Sequence, residues 1–373
     1  MRLLIGVSHP KHIYIFKNFV NKMIDKGHNV HIVAVDKEIT GYLLKKFDLP
    51  HTLIGRNQPN FHRKMMGLLK WEYLTYKIAK EFKPDFFLGR ALPHFAHVSY
   101  ILNKPFIVFE DTELAKTLHK FTLPFAEAIV TPNCYKNNNG RKQIRFNGYF
   151  ELAYLHPNYF KPDISVLDDL GLNLEDKYII IRLSSWEAYH DNHSEGFSQK
   201  ILKDIILEME NYGRVFITSE KKTNESLERY KLHISPEKLH SALYYANLHF
   251  SEGSTAVESA LLGTPTVHFE KYSYKADKVV DVTHIHGNYD ELVNKYGLLN
   301  TYANQDQAIE KVFEILKDNN AKNNLKKKRD QILKEKIDVT EFMIKLIEDF
   351  PESCYKYFYD KELDLFQKGV VDN

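Results

Sequence analysis

The sequence predicts an α/β protein made of two doubly wound domains in series, facing a central cleft. Three observations carry this expectation. Short β-rich runs alternate with longer segments of helical period through the first half of the chain. The rhythm stops in the Asn-rich stretch Cys134–Lys142 and restarts at Tyr178. The length of 373 residues also fits two domains of ordinary size.

The elements follow in order. Arg2–Val7 is a continuous apolar run, as expected of a strand buried on both faces of a parallel sheet. Lys11–Lys26 places Ile13, Phe16, Phe19, Val20 and Met23 at helical spacing, and Gly27 closes that helix. A strand over Asn29–Val35, a helix over Lys37–Lys46, a strand near His51–Gly55 and a long helix over His62–Phe82 come next. Asp85–Gly89, a helix at Pro93–Leu102, Pro105–Phe109, a helix from about Thr112, and Ala128–Thr131 complete the first domain, 1–160. The punctuated segment Phe146–Asp163 reads as the connection. The second domain, 161–337, is expected to hold strands at Tyr178–Leu183, Val215–Thr218, Asn247–Ser251 and Thr264–Phe269. Its helices fall at Gly196–Asn211, Pro236–Tyr245, Thr255–Leu262, Gln305–Lys317 and Ala321–Lys334. A closing helix, Val339–Ile347, and tail occupy 338–373 and are expected to pack back across the domains.

Composition excludes several function classes. Lys plus Arg number 51 against 49 Asp plus Glu, so the basic excess on which nucleic-acid binders rely is missing. The mean hydropathy of −0.42 and the lack of an apolar run of about 18 residues speak against a spanning segment. The first residues, MRLLIGVSHP, read as a strand rather than a leader, which predicts a cytoplasmic protein. Two cysteines support neither a disulfide framework nor a zinc cluster.

The most informative stretch is Ser251-Glu-Gly-Ser-Thr-Ala-Val-Glu258-Ser-Ala-Leu-Leu-Gly263-Thr-Pro265. A strand ends, Gly253 turns the backbone, and a helix begins at Ser254 or Thr255. Backbone N–H groups at such a start form a diphosphate site, to which the Ser254 and Thr255 hydroxyls add donors. Glu258, one turn along, is placed to reach ribose hydroxyls. An ordinary capped βα turn would have the same outline.

Strand, Gly-Ser-Thr, Glu and Ala-Leu-Leu-Gly-Thr-Pro together resemble the nucleotide-sugar signature of GT-B-fold glycosyltransferases. They are also similar to the corresponding segment of non-hydrolysing UDP-N-acetylglucosamine 2-epimerases. A broader likeness rests on His9-Pro-Lys-His12, Glu110-Asp-Thr-Glu113, Gly148-Tyr-Phe-Glu-Leu-Ala-Tyr-Leu155 and Lys336-Ile-Asp-Val-Thr-Glu-Phe342. These resemble a prokaryotic GT-B-like family known mainly as a domain of unknown function. The resemblance implies two Rossmann-like domains, ribose binding at Glu258, and a basic residue that stabilises the leaving nucleotide.

Arg182, at the end of its strand, suits that last role through its planar fork, with Ser184 and Ser185 beside it; an interdomain salt bridge is the plainer reading. The resemblance implies that His240 lies in a segment lining the nucleobase pocket. His9 and His12 follow the first strand, and a histidine near neutral pKa is a candidate base for an acceptor hydroxyl; His9 could equally be a helix cap. Glu110 and Asp111 crowd the end of another strand, where like charges are expected to raise one another's pKa and make Asp111 the leading base. Glu110 could orient His9, or the group could be a helix start capped by Asp111 or Thr112. His190/His193 and His284/His286 lack the partners of a metal site. No metal or other cofactor is expected. Glu252 and Glu258 are too close for the pair of glutamates that marks retaining GT-B enzymes, which favours inversion or epimerisation.

The leading expectation is a metal-independent, inverting glycosyltransferase in surface polysaccharide or glycoconjugate synthesis. It would take a nucleotide sugar, UDP-linked, and a glycan or lipid-linked acceptor. A 2-epimerase or hydrolase of the same fold, or a non-catalytic nucleotide-sugar binder, are the alternatives. The aromatic segment Tyr355-Lys-Tyr-Phe-Tyr adds a peripheral contact with the inner membrane face as a further expectation, against simple packing of the last helix.

Overall fold

A computed structural model describes residues 1–56, 61–184, 194–195, 199–219, 225–274 and 278–357. They divide into two units, one comprising Met1–His156 and the chain from Ile337 onward, the other Pro157–Lys336.

The first unit runs β1 (Arg2–Val7), α1 (Pro10–Asp25), β2 (Asn29–Asp36), α2 (Thr40–Lys46), β3 (His51–Arg56), α3 (Phe61–Phe82) and β4 (Phe86–Gly89). It continues with α4 (Pro93–Ile101), β5 (Phe106–Phe109), α5 (Lys116–Thr122), β6 (Ala128–Pro132), β7 (Gln143–Phe146) and α6 (Leu152–Leu155). The seven strands form one parallel sheet in the order β3-β2-β1-β4-β5-β6-β7. Order reverses between β1 and β4, so a crevice opens beyond their carboxyl ends. In α1, His9 caps the first turn, Pro10 occupies the position where its missing N–H is harmless, and the expected apolar stripe is buried. Gly27, at φ +85°, lets the His28 N–H return to the Met23 carbonyl at 2.9 Å. Leu4, Val33, Phe87, Phe95, Val108 and Ile129 belong to the core on the side of the sheet that α4 covers.

The second unit opens with α7 (Val166–Leu170), β8 (Tyr178–Leu183), β9 (Ser194–Glu195), α8 (Gln199–Met209), β10 (Arg214–Ser219) and α9 (Glu225–Glu228). Then come α10 (Leu239–Tyr245), β11 (Leu248–Ser251), α11 (Thr255–Leu261), β12 (Thr266–Phe269), β13 (Lys271–Tyr274) and β14 (Lys278–Val280). It closes with α12 (Gly287–Asp290), β15 (Asn300–Tyr302), α13 (Gln305–Lys317) and α14 (Ala321–Glu335). Five strands make a parallel sheet, β10-β8-β11-β12-β15, whose order reverses between β8 and β11. β14, β13 and β9 form a small antiparallel sheet. Finally α15 (Val339–Glu348) packs in the first unit, where Thr340 Oγ1 donates to the Ala153 carbonyl at 3.0 Å and Phe342 stacks on Phe146.

Several expectations are corrected. The rhythm of the first sheet does not end at Thr131: β7 adds a strand whose Gln143 is buried and donates to Thr131 Oγ1 at 2.9 Å. A short Gln-Ile-Arg-Phe run carries almost no apolar signal of its own. Phe146–His156 is not a linker, because Tyr149 through Leu155 are buried against α1 and α15. The helix expected from Thr112 begins at Lys116, and Asp111 and Thr112 cap nothing. β15 and the small antiparallel sheet were absent from the sequence reading because strands of two to four residues show no period.

Candidate functional site

In the second unit the polar groups gather where β8 and β11 separate. Arg182 is the penultimate residue of β8; its carbonyl accepts the Glu252 N–H at 3.0 Å and its Nη1 donates to Thr218 Oγ1 of β10 at 2.9 Å. Ser184 is bound twice to the turn after β11: its N–H donates to Glu252 Oε2 at 2.7 Å and its hydroxyl to the Glu252 carbonyl at 3.0 Å. Gly253 stands at φ +79°, and a Cβ there would lie 2.8 Å from Ser184 Oγ. Only glycine fits without displacing the serine. From below, His268 Nε2 accepts the Gly253 N–H at 3.2 Å and Tyr289 OH donates to the Gly253 carbonyl at 3.1 Å. His268 Nδ1 meets Thr301 Oγ1 at 2.9 Å, so the neutral ring carries its proton there. Burial, then His286 and His249, holds His268 down at about 3, which keeps it neutral.

The turn is therefore held from above and below before α11 begins. Ser254 is exposed and makes no side-chain cap bond, whereas Thr255 Oγ1 is 2.9 Å from Ser251 Oγ. Glu258 is buried, with Oε2 3.4 Å from His240 Nε2 of α10. His249, in the middle of this group, is fully buried and held down at about 3 by burial and then by Arg182. The structure thus brings Arg182, Ser184, His240, Gly253, Ser254, Thr255 and Glu258 to one end of one sheet. Sequence reading missed His249, His268 and Tyr289, since buried strand histidines look like any others in a chain that has 18. Ser185, His190 and His193 lie outside the described residues.

In the first unit a second group lies beyond β1, β4 and β5. Arg90, the residue after β4, is buried and donates through Nη2 to Glu110 Oε1 at 2.7 Å, to Asp111 Oδ1 and to Thr112 Oγ1 at 3.3 Å. Glu110 Oε1 also accepts the N–H groups of Asp111 at 2.9 Å and Thr112 at 2.8 Å, while Oε2 is 3.5 Å from His119 Nε2. The Arg90 guanidinium lies 5.2 Å above the Phe150 ring. Lys11 Nζ pairs with buried Glu151 at 2.7 Å.

This arrangement reverses one expectation. The Glu110 charge does push Asp111 upward, but neither carboxylate ends above its ordinary range. Burial is the largest single push upward on both, but Arg90 acting with Lys11 on Asp111, and with His119 and the Thr112 N–H on Glu110, leaves both below the usual carboxylate range. They stay ionised at neutral pH. His12 is held well below its ordinary value by burial, then by Arg90 and His9. His12 Nδ1 accepts the Ser8 N–H at 3.3 Å and His9 Nδ1 accepts the Lys11 N–H at 3.2 Å. In their neutral forms both rings therefore carry the proton on Nε2, which makes those atoms donors rather than bases. His9 is the cap that the plainer reading described, and Glu110 orients Arg90 and its own turn. Arg90 itself was missed. The strand-end argument that singled out Arg182 applies equally to Phe-Leu-Gly-Arg at the end of β4.

Solved structures share this fold at low identity. A UDP-GlcNAc 2-epimerase from Methanocaldococcus jannaschii is 14% identical, with a TM-score of 0.61 over 86% of this chain and 94% of that one. The spinosyn forosaminyltransferase SpnP is 12% identical, with a TM-score of 0.63 over 94% and 100%. S. aureus MnaA, solved with UDP, is 12% identical, with a TM-score of 0.63 over 95% and 98%. These neighbours make the fold GT-B-like, with two Rossmann-like units. Among sequence relatives, an uncharacterized protein of Methanocaldococcus jannaschii is 23% identical over 339 residues, 84% of this chain and 98% of that protein. The family described as protein of unknown function, DUF354, matches residues 1–341, and the chain belongs to it.

Proposed function

We propose that the protein is a glycosyltransferase that moves a sugar from a UDP-linked nucleotide sugar to an acceptor hydroxyl on a glycan or lipid-linked glycan. The observation that carries this reading is the Glu252–Gly253–Ser254 turn, pinned by Ser184, His268 and Tyr289 where the second sheet changes order, with Glu258 one turn into the next helix. Open α/β sheets take their ligands at such a point.

In this reading Glu258, steadied by His240, accepts hydrogen bonds from the ribose. Arg182 and the N–H groups at the start of α11 face the diphosphate. In the first unit Asp111 receives the acceptor proton. Its Oδ1 is held by Arg90, and among the described residues no hydrogen bond reaches its Oδ2. The acceptor oxygen bonds to the anomeric carbon as the bond from that carbon to the phosphate oxygen breaks. The proton goes to Asp111, and UDP leaves with the electron pair, its charge met by Arg182. A carboxylate of lowered pKa is a weak base, so the proton moves late, as the new bond forms. Arg182 supplies positive charge to the leaving group, and the reaction is expected to persist in EDTA.

Calorimetry with UDP tests the binding half. Glu258→Ala should weaken binding by about 1–3 kcal/mol, the range for losing a charged hydrogen-bond partner; unchanged affinity would remove Glu258 from the site. NMR of UDP-N-acetylglucosamine incubated with the protein alone tests the reaction. Conversion to the 2-epimer without any acceptor would replace transfer by epimerisation, the reaction named for the first neighbour above.

A further inference from the structure

We infer that the helical layer α3–α4–α5 of the first unit is a docking surface for an anionic lipid bilayer. Among the described residues, the four most exposed large hydrophobic side chains of the chain all lie on two neighbouring helices of this layer. They are Tyr100 at 70%, Leu69 at 69%, Ile101 at 66% and Tyr73 at 65%. Leu118 and Phe121 of α5 add two more. The three helices are locked side by side. His97 of α4 bonds through Nδ1 to Glu72 of α3 at 2.5 Å and through Nε2 to the Phe121 carbonyl of α5 at 3.1 Å. Six exposed apolar side chains on one rigid layer are more than the scattered singles that soluble surfaces carry.

Charge decides the occupant. Lys70, Lys77 and Lys80 of α3 and Lys116 and Lys120 of α5 are exposed on the same layer. α4 and α5 contain no acidic residue, and α3 contains only Glu81 besides the Glu72 bonded to His97. The chain as a whole is nearly neutral at +2, so this basic excess is local. Protein–protein interfaces are poor in lysine, whereas lysines interleaved with Tyr, Leu and Ile are the composition that settles at the headgroup level of an anionic membrane. No helix among the described residues is long and apolar enough to cross a membrane, and contact through this face needs none. The exposed residues of this surface are not among the strand-end residues, and the inference does not depend on the proposed reaction.

Co-sedimentation of the full chain with vesicles tests it, using phosphatidylcholine alone and a mixture with phosphatidylglycerol. Binding is expected only to the anionic vesicles and should fall as salt rises. The double variant Tyr100→Glu/Ile101→Glu should abolish it, and Lys77→Glu/Lys80→Glu should lower partitioning by about tenfold or more. All four positions are exposed, so thermal melting should match the parent and exclude misfolding. Tyr355→Glu, outside the layer, should bind as the parent does. Three results would overturn the inference: no binding to anionic vesicles at low salt, binding undiminished in both double variants, or loss of binding in Tyr355→Glu alone. A fourth would be light scattering that shows the parent to be a dimer and Tyr100→Glu/Ile101→Glu a monomer, since a second copy would then own the face.

Discussion

Arg90 is the group on which the first-unit site depends, and replacing it should change both the size of the stability and its response to pH. Arg90, Glu110 and Asp111 have side-chain exposures of only 8%, 3% and 13%. Arg90→Met would leave two carboxylates buried with their main counter-charge gone. Breaking a buried pair from one side costs about 3–5 kcal/mol, which for a unit of this size lowers the melting temperature by roughly 6–20 °C. In the parent both carboxylates have folded pKa values below the unfolded ones of about 4. Their contribution is therefore complete above the unfolded pKa and lost as pH falls through the folded values. In the variant burial, the largest single effect on each carboxylate, is opposed chiefly by Lys11, His119 and the Thr112 N–H, so both pKa values rise relative to the parent and the variant falls further behind it as pH rises from about 4 upward. The gap between the two curves should widen from pH 4 to pH 7, and the curves should converge only below the parent's folded pKa values. Thermal unfolding followed by circular dichroism at pH 4, 5, 6, 7 and 8 reads this directly. A variant within about 2 °C of the parent at pH 7, or a gap that does not change with pH, would refute the reasoning.

Other outcomes follow from the same geometry. Gly253→Ala puts a Cβ 2.8 Å from Ser184 Oγ at a φ of +79°; it should cost about 1–3 kcal/mol in urea unfolding and weaken UDP binding, whereas Ser254→Ala should leave stability unchanged. His9→Ala removes the cap of α1 and should cost about 0.5–2 kcal/mol, most of which His9→Asn should restore in the same assay. If Asp111 receives the acceptor proton, Asp111→Asn should lower turnover by about 100–10,000-fold with UDP affinity unchanged, and full activity in that variant would move the role elsewhere.

The class of fold was legible in the sequence because parallel strands buried on both faces must be continuous apolar runs, and crossover helices must be amphipathic. Arg2–Val7, Tyr178–Leu183 and the Ile13–Met23 stripe satisfy those rules with no tertiary help. The turn at Gly253 was legible for a related reason, since a positive φ in tight contact leaves few residues to choose from. Charge state was not legible. Glu110 beside Asp111 reads as mutual repulsion until the fold inserts Arg90, 20 and 21 residues away in the chain, and the direction of both pKa shifts turns over. The same holds for Lys11 with Glu151, for Glu258 with His240, and for β7, whose buried Gln143 finds its partner only across the sheet. Periodicity is a local property written into neighbouring residues. Electrostatic environment is a property of the whole fold, because Coulomb and desolvation energies depend on which distant groups arrive within a few ångströms.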